Sequence, residues 1–221
     1  MIHKKVTSAF SVLLAGIFIS CGDQAEQAAV KPAATEPVIV GGGCDGCEIM
    51  YVDMPGIIDA ADTSAGWNER GQRLLVTGKL FKKNGITPQD GVILYYWQTD
   101  NSGHYSPVAG MNEKAKRHGH IRGWVKSGKE GTYSIYTIRP ASYPGSNNPA
   151  HIHISVKEPG IKDEYYIDEL VFDDDPFLTT ERRKEHQNRG GSGILFPGNE
   201  KGMLVARHDI VLGLNIPGYP E

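Results

Sequence analysis

Two histidines separated by one residue are the clearest candidates for metal chemistry in this sequence. Residues 151–156 read HIHISV, a strict alternation of polar and branched apolar side chains. Successive side chains of a β-strand point to opposite faces, so His151 and His153 are predicted to share one face. Two imidazoles on one face can bind a single transition-metal ion. For the pair alone, a solvated polar face with two ordinary histidines is the alternative interpretation.

The elements that would position this pair are predicted to be short strands. β-rich runs bounded by turn residues recur at nearly regular intervals, with little sustained helical periodicity. These runs are residues 73–81, 91–98, 119–126, 131–138, 151–157, 165–172, 202–206 and 209–214. About eight strands at this spacing predict an all-β fold, an antiparallel β-sandwich with long loops. One short polar stretch, residues 179–188, has helical character.

Composition and charge exclude several classes of protein. The 221 residues include 27 Gly and 13 Pro, 39% of the chain is hydrophobic, and the formal net charge is -3. This apolar content at low net charge supports a folded core and excludes a wholly disordered chain. A single apolar run excludes a multi-span membrane protein. The mild acidic balance argues against a nucleic-acid partner.

The N-terminal region is typical of an export signal followed by a tether. Its apolar run, residues 6–19, follows a basic segment and is too short to span a bilayer. A small residue before Cys21 resembles the bacterial lipoprotein signal, in which that cysteine is lipidated. We therefore predict a signal peptide over 1–20, a lipidated tether and N-terminal extension over 21–66, and the sandwich domain over 67–221. The protein is expected to be exported and anchored to a bacterial membrane, on its periplasmic or cell-surface side.

The remaining two cysteines lie close together as Cys44-Asp45-Gly46-Cys47. An exported compartment is oxidising, so a local disulfide between Cys44 and Cys47 is the plainest prediction. A redox motif is less expected, because no thioredoxin-like βαβ pattern surrounds the pair. A zinc site would need two further ligands nearby, and the sequence offers none.

Four segments of the central sequence resemble one enzyme family in matching order. They are YYWQTDNSGHY (95–105), RGWVKSGKEGTYSIYTIRPASYP (122–144), PAHIH (149–153) and FDDDP (172–176). Together they resemble the intradiol ring-cleavage dioxygenases, the catechol and protocatechuate type of non-haem iron(III) enzyme. The resemblance covers about residues 73–176 and implies a β-sandwich, in agreement with the strand pattern. It also implies an oxidoreductase that cleaves a catechol-type ring between its two hydroxyl-bearing carbons with O2, giving a muconate-type diacid.

The resemblance implies one mononuclear Fe(III) held by Tyr105, Tyr143, His151 and His153. Within that set it implies that Tyr143 leaves the metal when substrate binds and acts as a general base. The donor types suit the metal, because phenolate is a hard anionic oxygen ligand and imidazole binds many transition metals. An ordinary tyrosine has a pKa of about 10, so the cation must promote its deprotonation. The implied partners are a small aromatic diol and O2.

Two residues near the predicted substrate position depart from the family pattern. Well-studied members carry an Arg three residues before the first ligand histidine, where this chain has Asn148. They carry a Gln in the strand ahead of the acidic turn, where this chain has Glu169. Metal binding is therefore a firmer expectation than ring cleavage. Oligomeric state receives no prediction.

Two other functions remain open from the sequence. An exported β-sandwich that has lost catalysis could be a binding module, with aromatic side chains as a stacking platform. Its candidate aromatics are Trp67, Trp97 and Trp124, although the last two lie in predicted strands and are expected in the core. A cupin-type metal enzyme would use Glu158 as an additional ligand, but the closing glycine of that motif is replaced by Tyr165.

Two further clusters of polar residues are expected to be structural or solvated. His118 and His120 form another pair spaced by one residue, and we predict solvent-exposed loop positions for them. The acidic run over residues 173–175 lacks the ligand spacing of an EF-hand loop. It is predicted to be a turn of the kind that the dioxygenase family has.

Overall fold

The computed structural model describes residues 39–220 and is built almost entirely of strands. The twelve strands of this range are β1 Ala61–Thr63, β2 Arg73–Phe81, β3 Ile93–Gln98, β4 Arg122–Lys126, β5 Thr132–Ile138, β6 His151–Lys157, β7 Tyr165–Tyr166, β8 Leu170–Phe172, β9 Ile194–Leu195, β10 Gly198–Glu200, β11 Met203–Arg207 and β12 Ile210–Val211. The α-helix α1 covers Thr180–Glu185, within the stretch predicted as helical. Short 3-10 helices cover Val40–Gly42, Cys47–Tyr51, Ala65–Asn68 and Ala115–His118.

The strands form two six-stranded sheets, which confirms the predicted all-β fold. The first has the order β1-β5-β2-β11-β10 with β12 also on β2, and the second has the order β4-β3-β6-β8-β9 with β7 on β6. The long central pairs, β2 with β5 and β3 with β4 and β6, are antiparallel as predicted. Four pairings are parallel and involve β1, β9, β11 and β12. Most of the added strands have only two or three residues, too few to show an alternating pattern.

The main core lies between the two sheets and contains the apolar side of β6. Ile152, Ile154 and Val156 are buried there with residues of β2 such as Leu74 and Val76. Burying an aliphatic side chain of this size contributes about 1.5–3 kcal/mol. The alternation in HIHISV therefore fixes which face of β6 enters the core, and it leaves both histidines on the opposite face.

A second apolar cluster lies on that opposite face of the β3–β4–β6 sheet. The 3-10 helix Cys47–Tyr51 packs over it, burying Ile49 and Met50 against Tyr95 and Trp97. The carbonyl of Met50 also accepts a 2.7 Å hydrogen bond from the indole N–H of Trp124. A segment of the predicted extension is thus part of the folded domain.

The described residues 39–66 belong to the same compact unit as the strands. β1 lies in this segment and pairs with β5, so the boundary placed at residue 67 falls inside the folded unit. Neither β1, with three residues, nor the 3-10 helices have the periodic pattern by which a boundary can be recognised. The structure joins Cys44 and Cys47 in a disulfide.

The predicted signal peptide, the lipidated Cys21 and the tether up to residue 38 lie outside the described residues. Within residues 39–220, the helices are all too short or too polar to cross a bilayer. Export and lipidation therefore stay predictions made from the sequence.

Candidate metal centre

The four predicted ligands lie together at the N-terminal end of β6. The hydroxyl of Tyr105 is 2.8 Å from the hydroxyl of Tyr143 and 2.9 Å from Nε2 of His153. The hydroxyl of Tyr143 is 2.9 Å from Nε2 of His151. Two phenol oxygens and two imidazole nitrogens therefore converge from three separate parts of the chain.

Both imidazoles are oriented by a partner on the far side of the ring. Nδ1 of His151 lies 2.8 Å from the carbonyl oxygen of Pro149. A carbonyl only accepts hydrogen bonds, so Nδ1 carries the proton and the Nε2 lone pair faces Tyr143. Nδ1 of His153 lies 3.0 Å from a carboxylate oxygen of Glu169 in the same arrangement. Rear partners of this kind are typical of metal-binding histidines.

Glu169 is also near enough to be considered as a ligand. One potential ligand atom from each of His151, His153 and Glu169 lies within 4.8 Å of the others. The Glu169 carboxylate, however, contacts Nδ1 of His153, whereas Nε2 of that ring faces the tyrosine hydroxyl. We therefore assign Glu169 to the support of His153. The sequence comparison marked this position only as a departure, and its contact could not be read from the sequence.

The ring of His153 is also held by stacking on Trp97. The two residues are cross-strand partners on β6 and β3, with ring centroids 4.6 Å apart and planes inclined by 12°. His118 stacks on Trp97 as well, at 4.1 Å and 4°. Its Nδ1 is 2.8 Å from the hydroxyl of Tyr95.

The expectation that His118 and His120 are solvent-exposed is wrong. His118 is 5% exposed, and burial lowers its pKa to about 3, so the stacked ring is neutral. The His120 side chain is 8% exposed and contacts Glu69 and the carbonyl of Ser106. His118 packs on Trp97 and Tyr95 of β3, and His120 contacts Glu69, so both are buried by residues distant in the sequence.

Asp100 organises the loop that carries Tyr105. One of its carboxylate oxygens accepts the backbone N–H groups of Ser102 and His104, at 2.8 and 3.1 Å. The other accepts the hydroxyl of Ser106 at 2.6 Å. Although partial burial opposes its ionisation, these bonds lower the pKa of Asp100 to about 2. An ionised side chain therefore fixes the backbone on both sides of Tyr105.

The loop that carries Tyr143 is fastened to the end of β3. The side-chain amide of Gln98 donates to the carbonyl of Ile138 at 2.8 Å. The hydroxyl of Thr99 donates to the carbonyl of Ala141 at 2.7 Å. Through these bonds the WQT segment at the end of β3 positions the TIRP segment. Tyr143 lies in the loop directly after TIRP and is positioned with it.

Gly103 lets the two tyrosine loops approach closely. Its φ of 83° lies in the left-handed region, and a Cβ there would be 2.1 Å from the carbonyl oxygen of Ser142. A side chain would force apart the loops that place Tyr105 and Tyr143. The glycine is needed both for its backbone conformation and for the space.

The acidic turn at residues 172–176 holds the backbone of Ala150, the residue before His151. One oxygen of Asp175 accepts the backbone N–H of Ala150 at 2.9 Å, and the other accepts that of Phe177 at 2.8 Å. Asp173 pairs with Arg183, and Asp174 forms a bidentate pair with Arg139. All three carboxylates have structural partners, which supports the interpretation as a turn.

Burial keeps the phenols neutral in the absence of a cation. Burial, then the mutual hydrogen bond, raises the pKa of Tyr105, and burial raises the pKa of Tyr143. Burial lowers the pKa of His151, so that ring is neutral and can act as a ligand. Burial also opposes the ionisation of Glu169, but its side chain stays 49% exposed, and the hydrogen bond with His153 helps to lower its pKa to about 2.

A cavity of about 210 Å³ opens beside the cluster. It is lined by Tyr143, Asn148, Pro149, His151, Glu169, Val171 and Arg182. Tyr105 is absent from this lining, so Tyr143 is the tyrosine that faces the space. Sequence reasoning missed Arg182, because its position on a mixed-charge helix gives no signal that it turns toward the site.

The geometry does not favour the cupin alternative. Glu158 lies an odd number of residues from His151 and His153, and therefore projects from the opposite face of the strand. It accepts hydrogen bonds from Tyr165 and Tyr219, the latter at 2.9 Å.

The tryptophans do not form an exposed platform either. Trp97 is 4% exposed, and Trp67 and Trp124 are half-buried.

A β-sandwich with two tyrosines and two histidines converging beside a cavity defines the class of a candidate non-haem metal protein. A family model described as Dioxygenase matches residues 53–189, more than half of the chain. The chain therefore belongs to the intradiol dioxygenase family, whose members are known to use non-haem iron.

Curated relatives agree with this family at low identity. The chain is 29% identical over 147 residues to a 6-chlorohydroxyquinol 1,2-dioxygenase of Cupriavidus pinatubonensis, covering 59% of this chain and 49% of the relative. It is 26% identical over 118 residues to a protocatechuate 3,4-dioxygenase beta chain of Burkholderia cepacia, covering 49% and 48%. The chain thus spans about half the length of the curated relatives it matches.

Solved structures share the fold. The dioxygenase domain of a carbohydrate-binding fusion protein from Streptomyces sp. SirexAA-E superposes with a TM-score of 0.53 at 24% identity, over 72% of this chain and 94% of that one. Catechol 1,2-dioxygenase from Pseudomonas arvilla C-1 gives a TM-score of 0.55 at 18% identity, over 80% and 61%. At these identities, the likeness concerns the fold alone.

Proposed function

We propose that Tyr105, Tyr143, His151 and His153 bind one Fe(III) ion and that the protein cleaves catechol-type rings between the two hydroxyl-bearing carbons with O2. The observation that carries this proposal is the convergence of four donor atoms, each 2.8–2.9 Å from a neighbouring donor. The donor set fits the ion, because two phenolates supply hard negative charge and two neutral imidazoles complete the set. The rear contacts of both histidines leave their Nε2 atoms available.

The tyrosine hydroxyls supply the proton chemistry of the site. Their raised pKa values mean that both protons leave only when a cation is bound. Of the two, Tyr143 borders the cavity, so its oxygen can accept a proton from an incoming diol. Tyr105 lies behind it and is held by the loop that Asp100 organises. We therefore assign the exchangeable position to Tyr143 and a permanent position to Tyr105.

When bound, the iron activates the chelated diol toward O2. The protein binds and orients the reactants. The cavity beside Tyr143 and His151 accepts the ring, and the stacking of Trp97 on His153 keeps the imidazole from rotating. Preorganised donors of this kind avoid reorganisation when the substrate arrives. The expected product is a muconate-type diacid.

The first test is visible absorption of the full chain purified with iron available. Tyrosinate ligands give a charge-transfer band, and we expect that band together with one iron per chain. Anaerobic addition of catechol should shift the band, and admission of oxygen should then consume O2 with ring opening. Tyr143→Phe should retain iron but lose most of the turnover. A colourless protein without stoichiometric iron would refute the proposal.

A binding module that has lost catalysis is the second candidate, favoured by one observation. Asn148 borders the cavity where well-studied relatives carry an arginine. This function predicts that catechol shifts the absorption band while no oxygen is consumed. The same experiment thus separates the two functions at its last step.

We also propose that the protein is exported and lipid-anchored through Cys21. The disulfide between Cys44 and Cys47 supports an oxidising compartment. Fractionation of cells expressing the full chain should place it with membranes, and Cys21→Ser should release it. Recovery of both forms in the soluble cytoplasm would contradict the assignment.

A further inference from the structure

Two neighbouring cavities beside the candidate metal centre share part of their lining, including Arg182, and are called here the inner and the outer lobe. The inner lobe is the cavity of about 210 Å³ next to Tyr143 and His151. The outer lobe, about 310 Å³, extends along α1 and is lined by residues such as Leu178, His186 and Gln187. Both lobes share the lining residues Pro149, Glu169, Val171 and Arg182.

The two lobes together are larger than an unsubstituted catechol requires. A cavity of roughly 150 Å³ is enough to hold a benzene ring. The inner lobe therefore has room for the ring, and the outer lobe remains for whatever that ring carries. Pro149, Val171 and Leu178 give this path an apolar wall, which suits a hydrocarbon linker.

The acidic groups around the lobes are mostly engaged by the protein itself. Glu169 contacts His153, and Asp168 contacts His186 and accepts the backbone N–H of Asn188 at 2.7 Å. Glu185 also lines the outer lobe but is solvent-exposed.

Arg182 differs from its neighbour Arg183 in having no ion-pair partner within the described residues. Arg183 pairs with Asp173 at 2.7 Å, whereas Arg182 makes no ion pair within residues 39–220. Arg182 is half-buried and lines both lobes. Guanidinium groups bind carboxylates through two parallel hydrogen bonds. A carboxylate on the ligand would therefore complete this site.

We propose that the substrate is a catechol whose substituent carries a carboxylate, with the ring in the inner lobe and the carboxylate bound by Arg182. This inference rests on the proposed function, because the ring must chelate the metal for the substituent to reach α1. Arg182 is a specificity-determining residue at the junction of the lobes.

The test compares two ligands of equal length on the iron-loaded full chain without oxygen. The probes are 3-(3,4-dihydroxyphenyl)propionate and its uncharged counterpart 4-propylcatechol, and the readout is the dissociation constant obtained from the shift of the visible band. A hydrogen bond to a charged group should make the wild type bind the carboxylate on the order of tenfold more tightly. Arg182→Gln should abolish this preference and leave 4-propylcatechol within about twofold.

Lys184→Gln is the matched control, because it removes one positive charge from an exposed position on the same helix. It should keep the preference for the carboxylate. An equal loss in both variants would show a general electrostatic effect and overturn the assignment of Arg182.

Two other results would also overturn the inference, and they differ in whether the proposed function is retained. Equal affinity of the wild type for both probes would remove the carboxylate subsite and leave the proposed function in place. A band that responds to neither probe would remove the proposed function together with the subsite.

Discussion

The two ends of β6 both carry hydrogen-bonded tyrosines, yet they have different chemistry. At the first end, Tyr105 and Tyr143 face the Nε2 atoms of His151 and His153. At the other end, Tyr165 and Tyr219 donate to the carboxylate of Glu158. Each end also borders a cavity, of about 210 Å³ beside Tyr143 and His151 and of about 410 Å³ beside Glu158. Space and aromatic content therefore do not distinguish the two ends.

The difference lies in where the hydrogens and lone pairs are directed. At Glu158, both tyrosine hydroxyls donate to the same carboxylate, so each of these polar groups has a hydrogen-bond partner. At the other end, each imidazole donates its Nδ1 hydrogen to an acceptor on the far side of the ring. The two basic Nε2 atoms therefore face two phenol oxygens. A cation can replace the phenol hydrogens there and gain four ligands. The orientation of donor atoms, set by neighbouring groups, therefore makes one end a candidate metal centre.

The largest difference in iron binding is expected between a variant that changes His151 at the first end of β6 and one that changes Glu158 at the other end. His151→Ala should lower iron affinity by more than about a hundredfold, beyond the 10–100-fold typical of losing a supporting residue. Glu158→Gln should leave iron content and the visible band unchanged, because that side chain faces the core side of β6. Iron analysis and absorption spectra of the two purified variants measure this. Equal iron loss in both would end the distinction between the two ends.

A second contrast tests the packing of the loops that build the first end. Gly103→Ala should lower the free energy of unfolding by about 2–4 kcal/mol, from backbone strain plus overpacking against Ser142. Gly110→Ala is the control, since Gly110 has a similar φ of 78° with nothing within 4 Å of a Cβ. It should cost about 1 kcal/mol from the backbone alone. Urea unfolding of both variants gives the difference, and equal losses would show that close loop contact is unimportant.

The support of His153 predicts a smaller effect. Glu169→Leu removes the hydrogen bond at Nδ1 and should weaken iron binding 10–100-fold. Glu169→Gln keeps an oxygen acceptor and should lose less. Competition with a chelator of known affinity measures both variants. Equal losses in the Gln and Leu variants would contradict a role that depends on an oxygen acceptor at this position.

Much of the fold was predictable because it depends on local patterns, and the residues of the candidate site were proposed from the family resemblance of the segments that carry them. The alternation in residues 151–156 determines which side of β6 enters the core, and β2 and β5 show a similar alternation of buried and more exposed residues. The loop around Tyr105 is a compact motif held by local bonds of Asp100, whereas the loop around Tyr143 is held by bonds from Gln98 and Thr99 at the end of β3.

The parts that sequence reasoning missed depend on contacts between distant residues. Parallel pairing of β11 with β2 joins residues more than a hundred positions apart, and no local pattern encodes it. His118 is buried because it packs on Trp97 and hydrogen-bonds to Tyr95, both on β3. Arg182 lines the cavity whereas the adjacent Arg183 pairs with Asp173, a difference that the local sequence does not indicate. Each outcome follows from tertiary packing.

The smallest expected effect concerns pH at the second end of β6. Burial raises the pKa of Glu158 above its ordinary value of 4.5, against the opposing hydrogen bonds from Tyr165 and Tyr219. A carboxyl whose pKa is raised on folding contributes stability below its unfolded pKa, and that contribution is lost as pH rises through the folded pKa. Glu158→Gln cannot ionise, so the melting temperature of the wild type should fall relative to that of the variant as pH rises above about 4.5.

The shift should be no larger than about 2–4 °C, the effect of about 1 kcal/mol in a domain of this size. Melting temperatures of both proteins from pH 4 to pH 8 would show it as a difference curve. A wild type that gained stability over the variant with rising pH would mean that the tyrosine hydrogen bonds outweigh burial. The ionised carboxylate of Glu158 would then be the favoured form in the folded protein, stabilised by hydrogen bonds from the two tyrosine hydroxyls.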